Sequence, residues 1–179
     1  MITGRELLRE EIGQIWTIDR SEVIDRIYYY ENGTLVLKPE HYDIPGWPAD
    51  ETEKYHSILF ECFDGGGWFY GMFDNEKLVG VVVLENRFIG KNKNQLQLKF
   101  LHMSNPFRKK GLGKRLYELA KVKARERGAR QMYVSATPSE NTVNFYQRRG
   151  CRIAQELDPE LFELEPEDIH LESDISGTK

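Results

Sequence analysis

Two cysteines, Cys62 and Cys151, stand among 179 residues, and no His/Cys grouping at ligand spacing accompanies them. A disulfide framework and a structural zinc site are therefore excluded as organising devices, no metal is expected, and a reducing, cytoplasmic setting is implied. Long apolar runs are missing as well. The longest, around Val79–Leu84, is far too short to span a bilayer, and Met1–Glu6 has no apolar segment of the secretory kind, so no membrane partner is expected. Nor is there an excess of positive charge: 25 Lys and Arg face 29 Asp and Glu, a net −4, which argues against nucleic acid as the main partner. Internal repeats and low-complexity segments are absent. What remains, 40% hydrophobic and 12% aromatic residues, suits one globular domain over residues 1–179 with a sizeable core.

The stretch Leu98–Leu116 carries the chemistry. An apolar run of strand composition ends in Ser104-Asn105-Pro106, a basic glycine loop follows, and Leu112, Leu116, Leu119 and Ala120 then recur at helical spacing. The reading is strand, tight loop, helix. Gly111 and Gly113 let a ligand approach the backbone, while the first helical turn aims unpaired N–H groups and its positive dipole end into the loop. That is an anion site, with Arg108, Lys109, Lys110 and Lys114 as mobile positive charge around it. A Walker loop is ruled out, because Arg115 follows Lys114 where Ser or Thr would hold magnesium, and a dinucleotide fingerprint fails because Leu116 stands where its third glycine belongs.

The spacing Met103-(x4)-Arg108-x-x-Gly111-x-Gly113 resembles the acetyl-CoA signature of the GNAT superfamily of N-acetyltransferases. A second stretch, Asn141-Thr142-Val143-Asn144-Phe145-Tyr146-Gln147-Arg148-Arg149-Gly150-Cys151, resembles the helix that follows in that superfamily, with Val143 in place of the usual Ala and Cys151 in place of the usual Phe. Together the two cover roughly the C-terminal half of the chain. The resemblance implies an α+β fold, an α/β/α sandwich whose mixed, twisted sheet of six or seven strands splays at the cofactor strand and carries helices on both faces. It implies acetyl-CoA as donor and a small-molecule or peptide amine as acceptor, with a homodimer left open. Pantetheine would lie along Leu101, His102 and Met103, the phosphates against Arg108, Lys109, Lys110, Gly111, Leu112, Gly113 and Lys114, and Asn141 would bond pantetheine or the loop. The Met103 amide would polarise the thioester carbonyl and Tyr146 would protonate the leaving thiolate.

Each role has a plainer reading beside it. Tyr146 packs in a helix core, Asn141 is an N-cap, and His102, alone in an apolar strand, packs rather than acting as base. Relatives often carry Glu or His eleven or nine residues before the loop's first Arg or Gln; here those positions are Gln97 and Lys99. An antiparallel pairing of the strand ending at Glu85 with the one starting at Leu96 would set Glu85 nearly opposite Gln97, making Glu85 the candidate base, with water chains as the alternative. A catalytically silent acyl-CoA-binding or regulatory module is the other functional reading.

Elsewhere, Leu7, Leu8, Ile12 and Ile15 predict an amphipathic helix over Arg5–Trp16, and Asn32-Gly33 predicts a hairpin between Val23–Tyr30 and Thr34–Leu37. Asp50–Phe63 reads as a helix preceded by a Pro/Gly loop whose Trp47 either lines a pocket or packs on the core. Strands are expected at Trp68–Phe73, Leu78–Glu85, Leu96–Ser104, Met132–Ala136 and Ile169–Ile175, and helices from Gly111 to Arg127 and from Asn141 to Gly150. Leu157–Phe162 reads as a loop or short turn, with Ser176–Lys179 frayed.

Overall fold

The computed structural model describes residues 1–177. In chain order the elements are β1 (Ile2–Glu6), a 3-10 helix (Arg9–Thr17), β2 (Glu22–Glu31), β3 (Thr34–Ile44), α1 (Ala49–Asp64), β4 (Trp68–Asp74), β5 (Lys77–Leu84) and β6 (Gln95–Met103). A short 3-10 turn (Asn105–Phe107), α2 (Leu112–Glu126), β7 (Gln131–Ala136), α3 (Glu140–Gln147), β8 (Arg152–Ile153), α4 (Pro159–Leu164) and β9 (Ile169–Asp174) complete it. Seven strands form a mixed sheet in the order β1-β4-β5-β6-β7-β9-β8, and β2 and β3 form a separate ribbon. The expected α+β sheet of six or seven strands is thus found with seven. Among the described residues no helix is long and apolar enough to cross a membrane.

The chain divides into two compact units. The first comprises Met1–Glu22, Ile44–Arg87 and Leu98–Lys123. Its strands are all antiparallel: β1 on β4 (Ile2↔Asp74 to Glu6↔Tyr70), β4 on β5, and β5 on β6 (Gly80↔Met103 to Leu84↔Leu98). Val79, Val81, Val82, Val83 and Leu84 are wholly buried, so β5 reads as a continuous apolar run, each side chain contributing roughly 2 kcal/mol. Gly80 leaves room for the Met103 side chain, whose Sδ lies 2.2 Å from where a Cβ would stand, so a larger residue there would displace it. α1 lays Tyr55, Leu59 and Cys62 against this core.

The helix expected over Arg5–Trp16 is instead a strand followed by a 3-10 helix. Ile12, Ile15 and Ile18, spaced by three, are at most 2% exposed, which is the 3-10 period, while Leu8 is 57% exposed and drops out of the apolar stripe. Ahead of it β1 adds to the sheet through main-chain bonds, and its Arg5 lies 4.2 Å from the centroid of the Phe73 ring.

The second unit comprises Val23–Asp43, Phe88–Gln97 and Ala124–Lys179. Here Gln95–Gln97 of β6 run parallel to Gln131–Tyr133 of β7, β7 pairs antiparallel with β9, and β8 flanks β9. Asn32 (φ 50°) and Gly33 (φ 82°) turn the predicted hairpin with the left-handed pair that matches strand twist. The hairpin docks on the start of α3 through Tyr28 N–H to Pro138 O (2.7 Å), Tyr28 Oη to Asn144 Oδ1 (2.7 Å) and the Arg26–Glu140 ion pair. The tail read as a loop or short turn holds the six-residue α4, capped by Asp158 Oδ1, which accepts from Leu161 N–H at 3.0 Å. β8, only two residues long, escaped the sequence reading. Ser176 is tied to Asp174 Oδ1 through both N–H (2.8 Å) and Oγ (2.6 Å) rather than frayed, and Thr178 and Lys179 lie outside the described residues.

Candidate active site

In the first unit β6 ends at Met103, and buried Ser104 donates its N–H to Val79 O at 2.8 Å. After the 3-10 turn, Lys109 (φ 61°) and Gly111 (φ 79°) take left-handed conformations that reverse the chain into α2. A Cβ on Gly111 would meet nothing within 4 Å, so glycine is needed for its torsion and leaves open space over the loop. The helix closes with Arg115 N–H on Gly111 O at 3.1 Å. The N–H groups of Leu112, Gly113 and Lys114 consequently have no protein acceptor among the described residues. Lys109, Lys110 and Lys114 are exposed beside them, with Lys110 Nζ 5.3 Å from the Phe107 ring centroid. Free N–H groups, a helix N-terminus and exposed ammonium groups suit a phosphate-bearing ligand.

Arg108 departs from the expected mobile charge. Its guanidinium is spent on main-chain carbonyls: Nε donates to Met103 O (2.9 Å), Nη1 to Ser21 O (2.9 Å) and Nη2 to Asp19 O (3.3 Å). Burial pushes its pKa down, against the pull of Glu22 and Asp19. The same segment is held by Asn105 N–H on Asp19 O (2.9 Å), Asn105 Nδ2 on Ser21 O (2.9 Å) and Asp19 N–H on Ser104 Oγ (2.9 Å). Asp19 and Ser21 were not legible as site residues, because they act through backbone atoms.

His102 lies in an aromatic cluster, 4.8 Å from Trp47 and 5.1 Å from Phe100 by ring centroids, with Trp16 edge-on to Trp47 at 4.9 Å. Trp47 donates Nε1–H to Ile18 O at 2.9 Å and so takes the packed reading. Arg20 stands over Trp47 at 5.1 Å and pairs with Glu51. Burial, with Arg20 and Arg108 nearby, pushes the His102 imidazole down to about 3, so it is neutral at physiological pH.

Glu85 sits one residue past the last β5–β6 pair, Leu84↔Leu98, in the register the sequence reading assumes. Its Oε2 is 3.3 Å from Lys99 Nζ. Burial raises its pKa, but the Asn86 N–H, the Lys99 ammonium and the Cys62 thiol outweigh it and hold the carboxyl below its ordinary range.

In the second unit Tyr146 is 5% exposed on α3, its ring edge-on to Phe145 at 5.1 Å. Its carbonyl accepts from Arg149 N–H and Cys151 N–H, which closes the helix ahead of Gly150 (φ 86°). Asn141 is exposed in the first turn. The cap is Ser139, whose Oγ accepts from Thr142 N–H at 3.3 Å, so Asn141 is free of that duty. Among the described residues no group of His, Cys, Asp and Glu is arranged to hold a metal ion.

A seven-stranded mixed sheet whose strand β6 leads through a glycine loop into a helix start with free N–H groups defines an α+β protein whose loop suits a phosphate-bearing ligand. The model of the acetyltransferase (GNAT) family matches residues 30–151, and the chain belongs to that family of acetyl-transferring enzymes. Among solved structures it is similar to nourseothricin acetyltransferase (TM-score 0.70, 19% identity, covering 97% of this chain and 98% of that one). It is similar also to the PaiA N-acetyltransferase of Thermoplasma acidophilum in complex with coenzyme A (0.63, 16%, 97% and 99%). A third is the ribosomal-protein-S18-alanine N-acetyltransferase of Escherichia coli (0.61, 13%, 100% and 97%). At these identities the likeness establishes the fold. No curated protein sequence gives a significant match.

Proposed function

We propose that this protein is an acetyl-CoA-dependent N-acetyltransferase acting on a primary amine by direct attack. The observation that carries the reading is the start of α2, where Gly111 turns the chain and the N–H groups of Leu112, Gly113 and Lys114 are left without a protein acceptor. These groups, with Lys109, Lys110 and Lys114, would hold the CoA pyrophosphate. Among the described residues β6 pairs with β7 over Gln95–Gln97 alone, which supports Leu101 and Met103 as backbone partners for pantetheine amides, whereas the antiparallel alternation turns the His102 main-chain groups to Val81 of β5. Acetyl-CoA supplies an activated thioester carbonyl; the Met103 N–H is the proposed donor to it, and Tyr146 Oη the proposed proton source for the leaving thiolate.

Proton removal from the incoming ammonium is assigned to water. The Glu85 carboxylate, engaged by Lys99 and held low, is a weak base, and its proposed part is to fix Lys99 on β6. Neutral His102 is available to hydrogen-bond that water. The acceptor is left unassigned, since the similar structures are named for amines as different as nourseothricin and the alanine of a ribosomal protein. The test is thiol release from acetyl-CoA over a panel of amines, with mass gain of 42 on the acceptor expected from the acetyl group's composition, about one acetyl per thiol. Tight CoA binding with no release from any amine would favour a silent binding module.

A further inference from the structure

We infer that Arg108 is a positioning residue, a clasp that sets the phosphate loop against the Asp19–Ser21 segment, and not a phosphate ligand. The inference rests on the loop reading above and changes the part played by its most prominent cation. Every Arg108 nitrogen acts through the backbone: Nε, Nη1 and Nη2 donate to Met103 O, Ser21 O and Asp19 O. An uncharged neighbour repeats the connection, because Asn105 reaches the same Asp19 and Ser21 carbonyls through N–H and Nδ2, each at 2.9 Å. Asp19 N–H answers with a bond to Ser104 Oγ at 2.9 Å, and Asp19 Oδ1 locks the turn by accepting Ser21 N–H at 2.9 Å.

The clasp has a direction. Its Met103 end is the last residue of β6, where the thioester carbonyl is proposed to be polarised. Its far end brackets Arg20, whose side chain leaves the backbone knot for Glu51 and the Trp47 ring. Trp47 in turn lies against His102 at 4.8 Å. One guanidinium therefore ties the cofactor loop and the Trp47/His102 cluster to the same three residues, so filling the loop and ordering the segment are linked in both directions.

The charge and the geometry of Arg108 separate by comparing Arg108→Gln, Arg108→Lys and Asn105→Ala with Lys110→Gln. Hydrogen exchange of the ligand-free proteins reads the clasp without CoA: amides of Asp19–Glu22 should exchange faster in both Arg108 variants and in Asn105→Ala, and as wild type in Lys110→Gln. Acetyl-CoA affinity should fall about tenfold or more in the two Arg108 variants, which lose charge-assisted hydrogen bonds, and about fivefold in Asn105→Ala, which loses a neutral one, with the salt dependence of binding unchanged in Asn105→Ala. Lys110→Gln should flatten that salt dependence. The inference is overturned if Asn105→Ala exchanges and binds as wild type while Arg108→Gln flattens the salt dependence as Lys110→Gln does. Should Arg108→Gln not fold, Arg108→Lys and Asn105→Ala decide by the same readouts. A wild-type protein that binds no CoA overturns the loop reading and leaves the exchange result to judge the clasp.

Discussion

Glu85 and Lys99 are held 3.3 Å apart with side chains only 18% and 10% exposed. A pair so little hydrated is strong when whole and awkward when halved, because the surviving charge keeps its burial and loses its partner. Glu85→Gln should therefore lower stability by about 2 kcal/mol, between the surface and fully buried cases, read by urea denaturation. Its carboxyl lies below the ordinary 4.5, so the stability it adds is present above that pH and lost only as pH falls through the lowered value. The same variant should keep kcat/KM within about tenfold of wild type with a parallel profile between about pH 6 and 9, since general-base loss costs about 10²-fold or more. A larger fall with loss of the acidic limb would make Glu85 the proton acceptor.

Gly111 is a test of torsion rather than of room. Its φ of 79° is one that a β-branched residue avoids, yet no atom stands within 4 Å of a built Cβ. Gly111→Val should cost about 1–2 kcal/mol of stability and shift the N–H groups behind it, so that acetyl-CoA affinity falls at least about tenfold by calorimetry. Gly111→Ala should sit between, through the same torsion. Wild-type affinity in Gly111→Val would mean that the loop does not hold the phosphates.

The strand, loop and helix around Leu98–Leu116 were legible because the apolar period changes there from two to 3.6 and glycines mark the break. The Asn32-Gly33 hairpin was legible for the same local reason. β1 was not: Ile2–Glu6 shows no alternation and owes its strand to the edge of β4. Ser139 displaced Asn141 as cap, two residues upstream of the motif's first residue, since capping is decided by φ/ψ at the entry and not by the motif. The clasp was the least legible. Arg108 reads as free charge from its own neighbours, and its partners, the carbonyls of Asp19 and Ser21, lie 89 and 87 residues away and have no side-chain signature.

His102 gives the fold a pH dependence of definite sign. Its imidazole titrates near 3 in the folded chain against 6.5 unfolded, so the unfolded chain takes the proton first and the folded state loses stability as pH falls below about 6.5. By pH 5 the loss attributable to His102 is about 2 kcal/mol. The lowered His170 acts in the same direction, so the variant that isolates the effect is His102→Gln. Denaturation at pH 7 and pH 5 should show a smaller drop in His102→Gln than in wild type. Equal drops would mean that His102 accepts a proton in place, and it would then return as a candidate base.

Tyr146 separates packing from chemistry because the two use different atoms. The ring, 5% exposed and edge-on to Phe145, supplies the packing, and its backbone carbonyl closes α3 through Arg149 and Cys151. Tyr146→Phe leaves both in place and removes only the hydroxyl. If Oη protonates the leaving thiolate, kcat should fall about 10²-fold or more while acetyl-CoA affinity and the melting temperature hold within about twofold and a few degrees. The pH profile adds a second readout: an acid that must be protonated sets a basic limb, and that limb should vanish in the variant as the remaining rate comes to depend on water as the proton source. Equal losses of affinity and turnover would instead place Tyr146 among the residues that shape the α3 helix, and the proton would then have to come from solvent in the wild-type enzyme as well.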